Sequence, residues 1–166
     1  MIILIAVVSS LTCYKWGAWR KWREFYPTIL FLIIGDMAYN FVFHDHSLWC
    51  YAGFVNHTVA NLIAMFFVFP PIVIMFLTHW PQKWTRKTLY VLVWSIGFTL
   101  LEYLSLTFNL FTHHNGWNIF WSFVLYVFGF SLVRLHYKRP LLTWPICAVL
   151  AVATMIFFKL PFDLLK

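Results

Sequence analysis

The chain has 166 residues, of which 63% are hydrophobic, 22% aromatic and only 10% charged, and its mean hydropathy is +0.79. So few charged groups cannot coat a soluble surface, which excludes the disordered, coiled-coil, secreted disulfide-rich and nucleic-acid-binding classes and leaves a polytopic membrane protein. The net charge of +7 then becomes a question of which side of a bilayer holds the cations, and the three scattered cysteines, Cys13, Cys50 and Cys147, read as small apolar residues.

A membrane span takes roughly 20 apolar residues. The apolar windows fall at about Ile2 to Trp16, Pro27 to Phe43, Val55 to His79, Thr88 to Phe111, Trp117 to Val133, and Pro140 to Phe158, which predicts an all-α transmembrane bundle of about six spans. The first window is the shortest. It has no basic n-region and no small-residue cleavage site, so it reads as a signal-anchor helix.

The first, third and fifth connections carry four, three and three Lys or Arg, the second and fourth carry none, and Lys159 and Lys166 lie in the tail. Under the positive-inside rule the odd-numbered loops are cytoplasmic and both termini lie outside. Nine of the ten tryptophans stand near a span end, Trp94 being the exception, as aromatic belts require. Pro27, Pro81 and Pro140 fall at or just before span starts, where a missing N–H is harmless. Every loop is short, so residues 1–166 read as one transmembrane domain with no soluble lobe. No Gly-rich phosphate loop or CxxC pair occurs.

Two carboxylates fall inside spans: Asp36, near the middle of the second, and Glu102, in the outer half of the fourth. A charge near the bilayer centre costs about 3 kcal/mol by insertion scales, so each is expected to face the bundle interior or a wet cavity. Asp36 shares a helix face with Asn40 one turn on, and His44 continues that face outward. This pair reads either as a polar clamp, with Asp36 protonated, or as an ion site. On the fourth span Thr88, Ser95, Thr99, Glu102, Asn109 and His113 share an arc of about 80° at 100° per residue. Ser95 or Thr99 alone reads as a hydrogen bond in a packed seam, but with Glu102 and Asn109 on the same stripe a water-accessible pathway becomes the competing reading.

The third span opens with Asn56-His57-Thr58, places Asn61 one turn after His57, and meets Pro70-Pro71 near its middle. The two prolines are expected to break it there and free the carbonyls of Phe66 and Phe67. Five histidines, His44, His46, His57, His113 and His114, belong to the cation-poor end. Their spacing matches no recognised zinc pattern, so neither a metal nor another cofactor is expected. In the fifth span Asn118, Ser122 and Gly129 read as a packing surface, and Arg134, His136, Lys138 and Arg139 at its far end read as topology and headgroup anchors.

Gly35-Asp36-Met37-Ala38-Tyr39-Asn40, Asn56-His57-Thr58, Glu102, Asn115-Gly116-Trp117-Asn118 and His136-Tyr137-Lys138-Arg139-Pro140 together resemble a family of small polytopic membrane proteins of endospore-forming Firmicutes, largely of unknown function. The resemblance runs along nearly the whole chain and implies a bacterial inner membrane, that of the spore included, but no activity.

These readings lead to a small homo-oligomeric cation channel, without enzymatic activity. Its partners would be the lipid bilayer, inorganic cations and further copies of itself, but no nucleic acid. Either a ring of Glu102 around a shared axis would choose cations or the spans would surround a pore within each protomer, and Asp36, Asn40, Ser95, Thr99, Asn109, His57, Asn61 and His113 would line or bind. The alternatives are a membrane-embedded interaction or signalling subunit, and an intramembrane metal-dependent enzyme.

Overall fold

The computed structural model describes residues 2–16, 18–53 and 56–159. Val55, expected to open the third span, and Asp163 and Lys166 of the tail lie outside the described residues. In chain order the elements are α1 (Ile2–Lys15), a 3₁₀ turn (Ala18–Lys21), α2 (Trp22–Val42), β1 (Trp49–Tyr51), α3 (His57–Ile63), a π turn (Ala64–Val68), α4 (Phe69–Thr78), α5 (Trp84–Thr107), β2 (Phe111–His113), α6 (Ile119–Lys138) and α7 (Pro140–Phe157).

Among the described residues five segments are long and apolar enough to cross a membrane: Trp19–Val42, His57–Thr78, Trp84–Thr107, Ile119–Lys138 and Pro140–Phe157. The chain is a helical, multi-pass integral membrane protein. The sixth expected span, α1, has 14 residues. At 1.5 Å per residue it reaches about 21 Å, short of a hydrocarbon core of roughly 30 Å.

Helix boundaries shift where the sequence supplies a cap. Asn56 accepts the Val59 N–H at 2.9 Å and starts α3. Asn118, expected on a packing surface, instead caps α6 by accepting the Phe120 N–H at 3.0 Å. Pro140 opens α7 and Pro81 precedes α5 as expected, but Pro27 lies inside α2, which begins at Trp22. The carbonyl that Pro27 cannot serve belongs to Arg23, an exposed residue at the helix start.

The interruption expected at Pro70-Pro71 takes the form of a π turn within one continuous span. Neither proline can donate to the carbonyls of Phe66 and Phe67 four residues back. The helix widens ahead of them, with the Phe69 N–H bonded to the Ala64 carbonyl five residues earlier. The Phe67 carbonyl is met from outside by the Ser10 hydroxyl of α1 at 3.3 Å and, at 3.4 Å, by that of Ser9, whose proton is shared with the nearer Ala6 carbonyl at 3.1 Å.

This third span is the centre of the bundle. Pro71, Ile72, Val73, Ile74, Phe76 and Leu77 of α4 are all buried, with α1, α2 and the 3₁₀ turn packed around them. Phe76 ties α4 to the α5–α6 pair through Tyr90, stacked at 5.3 Å, and Phe130, at 4.9 Å. The outermost helix, α7, packs on α6 and buries only Thr143. Leu4, Leu89, Leu141 and Val149 are among the exposed apolar side chains, as suits a hydrocarbon solvent.

The two cation-free loops meet at one end, where β1 and β2 pair antiparallel in the register Trp49↔His113, Cys50↔Thr112, Tyr51↔Phe111. At the other end the start of α2 meets the end of α6. The Tyr137 hydroxyl donates to Glu24, and Thr28 Oγ1 lies 3.1 Å from His136 Nδ1. His136, expected as a headgroup anchor, is buried there and stacks on Phe31 at 4.2 Å. Connections therefore alternate between a basic end and a cation-poor end.

Candidate functional site

Both intramembrane carboxylates sit toward the cation-poor end, each in its own hydrogen-bonded cluster. Asp36 and Asn40 are one turn apart on α2, and the Asn40 amide donates to Asp36 Oδ2 at 3.2 Å and to the Asp36 carbonyl at 2.8 Å. From the third span, the Asn61 amide donates to the same Oδ2 at 2.9 Å. His57, one turn before Asn61, has its Nε2 3.0 Å from Asn40 Oδ1 and its Nδ1 3.1 Å from the Tyr51 backbone nitrogen of β1.

The direction of these bonds is forced. A backbone N–H only donates, so His57 Nδ1 must accept and its proton belongs on Nε2, pointing at Asn40. Asn40 then turns its oxygen to His57 and its amide to Asp36. All donors converge on Oδ2, and among the described residues Oδ1 accepts nothing. Of the two readings of this pair, donating clamp or ion site, the geometry gives a carboxyl that accepts twice on Oδ2, with no partner on Oδ1 among the described residues.

Glu102 is arranged differently. Its Oε1 accepts from His113 Nε2 at 2.7 Å and from the Ser122 hydroxyl, and its Oε2 accepts from the Tyr126 hydroxyl at 2.5 Å. The indole N–H of Trp117 donates to Ser122 Oγ at 2.8 Å, which leaves the single hydroxyl proton of Ser122 for the carboxylate. Only 7% of Glu102 is exposed. Both oxygens are spent within the protomer, joining α5, β2 and α6.

His113 reaches Glu102 because α5 stops where it does. The Leu110 N–H bonds the Ser105 carbonyl at 2.8 Å and the Asn109 N–H bonds the Leu106 carbonyl at 3.0 Å, with Asn109 at φ 53°. This is a Schellman ending with asparagine in the left-handed position. Asn109 is thus an exposed helix terminator, not a member of a pathway stripe. The chain folds back beyond it, and β2 carries His113 over Glu102.

The rest of the stripe is also occupied. Ser95 is fully buried and donates to the Val91 carbonyl at 2.8 Å, and Thr99 donates to the Ser95 carbonyl at 2.8 Å. Each hydroxyl donates to its own helix, Ser95 fully buried and Thr99 half-buried. Thr88 is exposed near the basic end.

Tyr51 stands between the clusters. Its ring lies 5.7 Å from His57 and 5.4 Å from Phe111. Desolvation pushes its phenol above the ordinary range, and the carboxylates of Asp36 and Glu102 both add to that effect. Beside it, Tyr39 stacks on Trp49 at 3.9 Å and accepts the Leu48 N–H at 3.0 Å, which holds β1 against α2.

The sequence pairs Asp36 with Asn40 and, separately, His57 with Asn61, and the structure joins the two pairs into one cluster. It missed Tyr51, Trp117 and Tyr126, and it took Ser122 for packing. A signal existed for the last two, since Asn118, Ser122 and Tyr126 repeat at one-turn spacing. Among the described residues no three His, Cys, Asp or Glu side chains gather as a metal would need. His44 is engaged by Asp45 at 2.9 Å and His114 by Thr112 at 2.9 Å.

Comparison of the chain with protein-family models, with curated proteins and with solved structures finds no match.

Proposed function

We propose that this integral membrane protein moves small inorganic cations, that Asp36 is the carboxylate that meets the ion, and that Glu102 is a structural tie. The observation that carries this is the uneven use of oxygen. Asp36 is half-buried with Oδ1 free, whereas Glu102 is buried with three donors on its carboxylate. An ion needs an oxygen that is not already spent, and Asp36 Oδ1 is one. A ring of Glu102 around a shared axis has less support, because its side chain turns into its own protomer. The pathway is therefore assigned to the inside of each chain. Family membership with the small polytopic proteins of endospore-forming Firmicutes is part of the same proposal, resting on the motifs quoted for it, all but His136-Tyr137-Lys138-Arg139-Pro140 lying toward this end.

Flux of monovalent cations into liposomes holding the purified chain tests the assignment. Asp36→Asn should abolish or strongly reduce flux while the protein melts normally, and Glu102→Gln should lower the melting temperature more than the flux per folded molecule. Equal flux from the parent and Asp36→Asn defeats the reading. A second reading, a membrane-embedded interaction subunit, draws on α7, which among the described residues packs chiefly on α6 and buries only Thr143. Absence of flux in every variant, the parent included, would favour it.

A further inference from the structure

Ten of the twelve Lys and Arg residues belong to the basic end, and among the described residues none of them forms an ion pair. For most of these side chains that only reflects exposure. Arg134 is different. It lies on α6 one turn before that helix ends, half-buried, with its guanidinium carbon 4.8 Å from the centre of the Trp80 ring and 5.4 Å from that of Tyr137. Trp80 is itself fixed edge-on by Phe76 at 5.4 Å and Tyr90 at 5.9 Å. Lys138, one turn on, places its Nζ 5.3 Å from the same Tyr137 ring. The carboxylate of Glu24, which Tyr137 brings to this corner, accepts the phenol and not the guanidinium.

A guanidinium presents five N–H donors in a rigid fork. Here aromatic walls set its orientation, yet among the described residues it donates no hydrogen bond, and at the edge of the hydrocarbon such donors are costly to leave unmet. The acceptor that matches the fork and is abundant at this depth is a phosphate oxygen pair. We propose that Arg134, assisted by Lys138, holds a phosphate group at the junction of α4 and α6, supplied by the headgroup of an anionic phospholipid.

The full chain, placed in nanodiscs of phosphatidylcholine with or without one-fifth phosphatidylglycerol, is tested by native mass spectrometry for retained lipid and by thermal melting. The parent should retain phosphatidylglycerol and melt higher with it. Loss of a bidentate charged contact predicts a drop in retention of about tenfold for Arg134→Gln. Lys87→Gln, which removes a cation over Trp84 at the same end, should behave as the parent. Arg134→Lys keeps the charge and the aromatic contact and carries the test if the glutamine variant does not fold. It should retain less phosphatidylglycerol than the parent while melting equally in phosphatidylcholine alone. Millimolar inorganic phosphate added to the phosphatidylcholine discs separates the sources, since a melting rise that Arg134→Gln loses supports the same site with a soluble phosphate as its ligand. Retention unchanged by either Arg134 variant, or lost equally in Lys87→Gln, overturns the proposal in favour of diffuse attraction to the basic end.

Discussion

Asn61 donates its amide to Asp36 Oδ2 at 2.9 Å from the neighbouring span, so the central helix grips an intramembrane carboxylate whose Oδ1 has no partner among the described residues. Hydrogen bonds to charged groups contribute about 1.5–3 kcal/mol, and the partner left behind is half-buried. Asn61→Leu should therefore lower stability by about 2 kcal/mol in that range. Asp36→Asn should cost less, because an amide oxygen can still accept at the Oδ2 position while the charge is gone. Unfolding of both variants in mild detergent, followed by tryptophan fluorescence, measures the order. An Asn61→Leu protein as stable as the parent would mean that the bond does not hold the two helices together.

Tyr51 makes a prediction about alkaline pH. A free phenol ionises near pH 10, and desolvation, with the charges of Asp36 and Glu102, places the folded value higher. A group whose folded value is raised stabilises fully below its unfolded value and loses that contribution as pH climbs through the folded one. Parent and Tyr51→Phe should therefore show the same pH dependence of melting up to about pH 9, and the parent should fall more steeply beyond pH 10 or so. Parallel curves over the whole range would show that the phenol is not held protonated by the fold.

The β1–β2 ladder offers a test of the end-to-end alternation. Cys50 faces Thr112 across it, and paired residues in antiparallel strands stand about 4.5–5.5 Å apart at Cα, within disulfide reach. Thr112→Cys, in a chain whose Cys13 and Cys147 are replaced by Ala, should form a cross-link with Cys50 on mild oxidation. A gel shift after cleavage between α3 and α5 reads it. Failure to cross-link while both thiols react with maleimide would separate the two loops and with them the topology.

Much of this arrangement was legible along the chain. Spacing alone paired Asp36 with Asn40 and His57 with Asn61, because residues one turn apart share a helix face whatever surrounds it. The alternation of basic and cation-free loops gave the two ends. What the helical wheel does not carry is which neighbour a face meets and where the helix stops. The wheel puts Asn109 on a stripe that ends before it, and the fold-back that brings His113 onto Glu102 depends on one left-handed residue. The strands β1 and β2 have three residues each, too few for an alternating pattern, and they exist because two loops happen to meet. Ser95 and Thr99 faced inward as expected, but a hydroxyl on a helix can bond its own backbone, and a wheel does not distinguish that from a wet wall.

The π turn gives the most discriminating prediction about folding. Pro71 has no N–H, so the Phe67 carbonyl loses its α-helical donor and takes the hydroxyls of Ser9 and Ser10 instead. Replacing both serines by alanine in the parent should cost about 1–3 kcal/mol, the price of a carbonyl left without a donor away from water. Pro71→Ala restores an N–H four residues after Phe67 and lets an ordinary helical bond form there. In that background the serine pair has little left to do, and the same double replacement should cost well under half as much. The two effects are then non-additive, with a coupling energy of about 1 kcal/mol or more, as expected for residues sharing one acceptor. Four melting curves close the cycle. Additive costs would mean that the serines stabilise α1 by packing alone, and that the carbonyl finds its partner elsewhere.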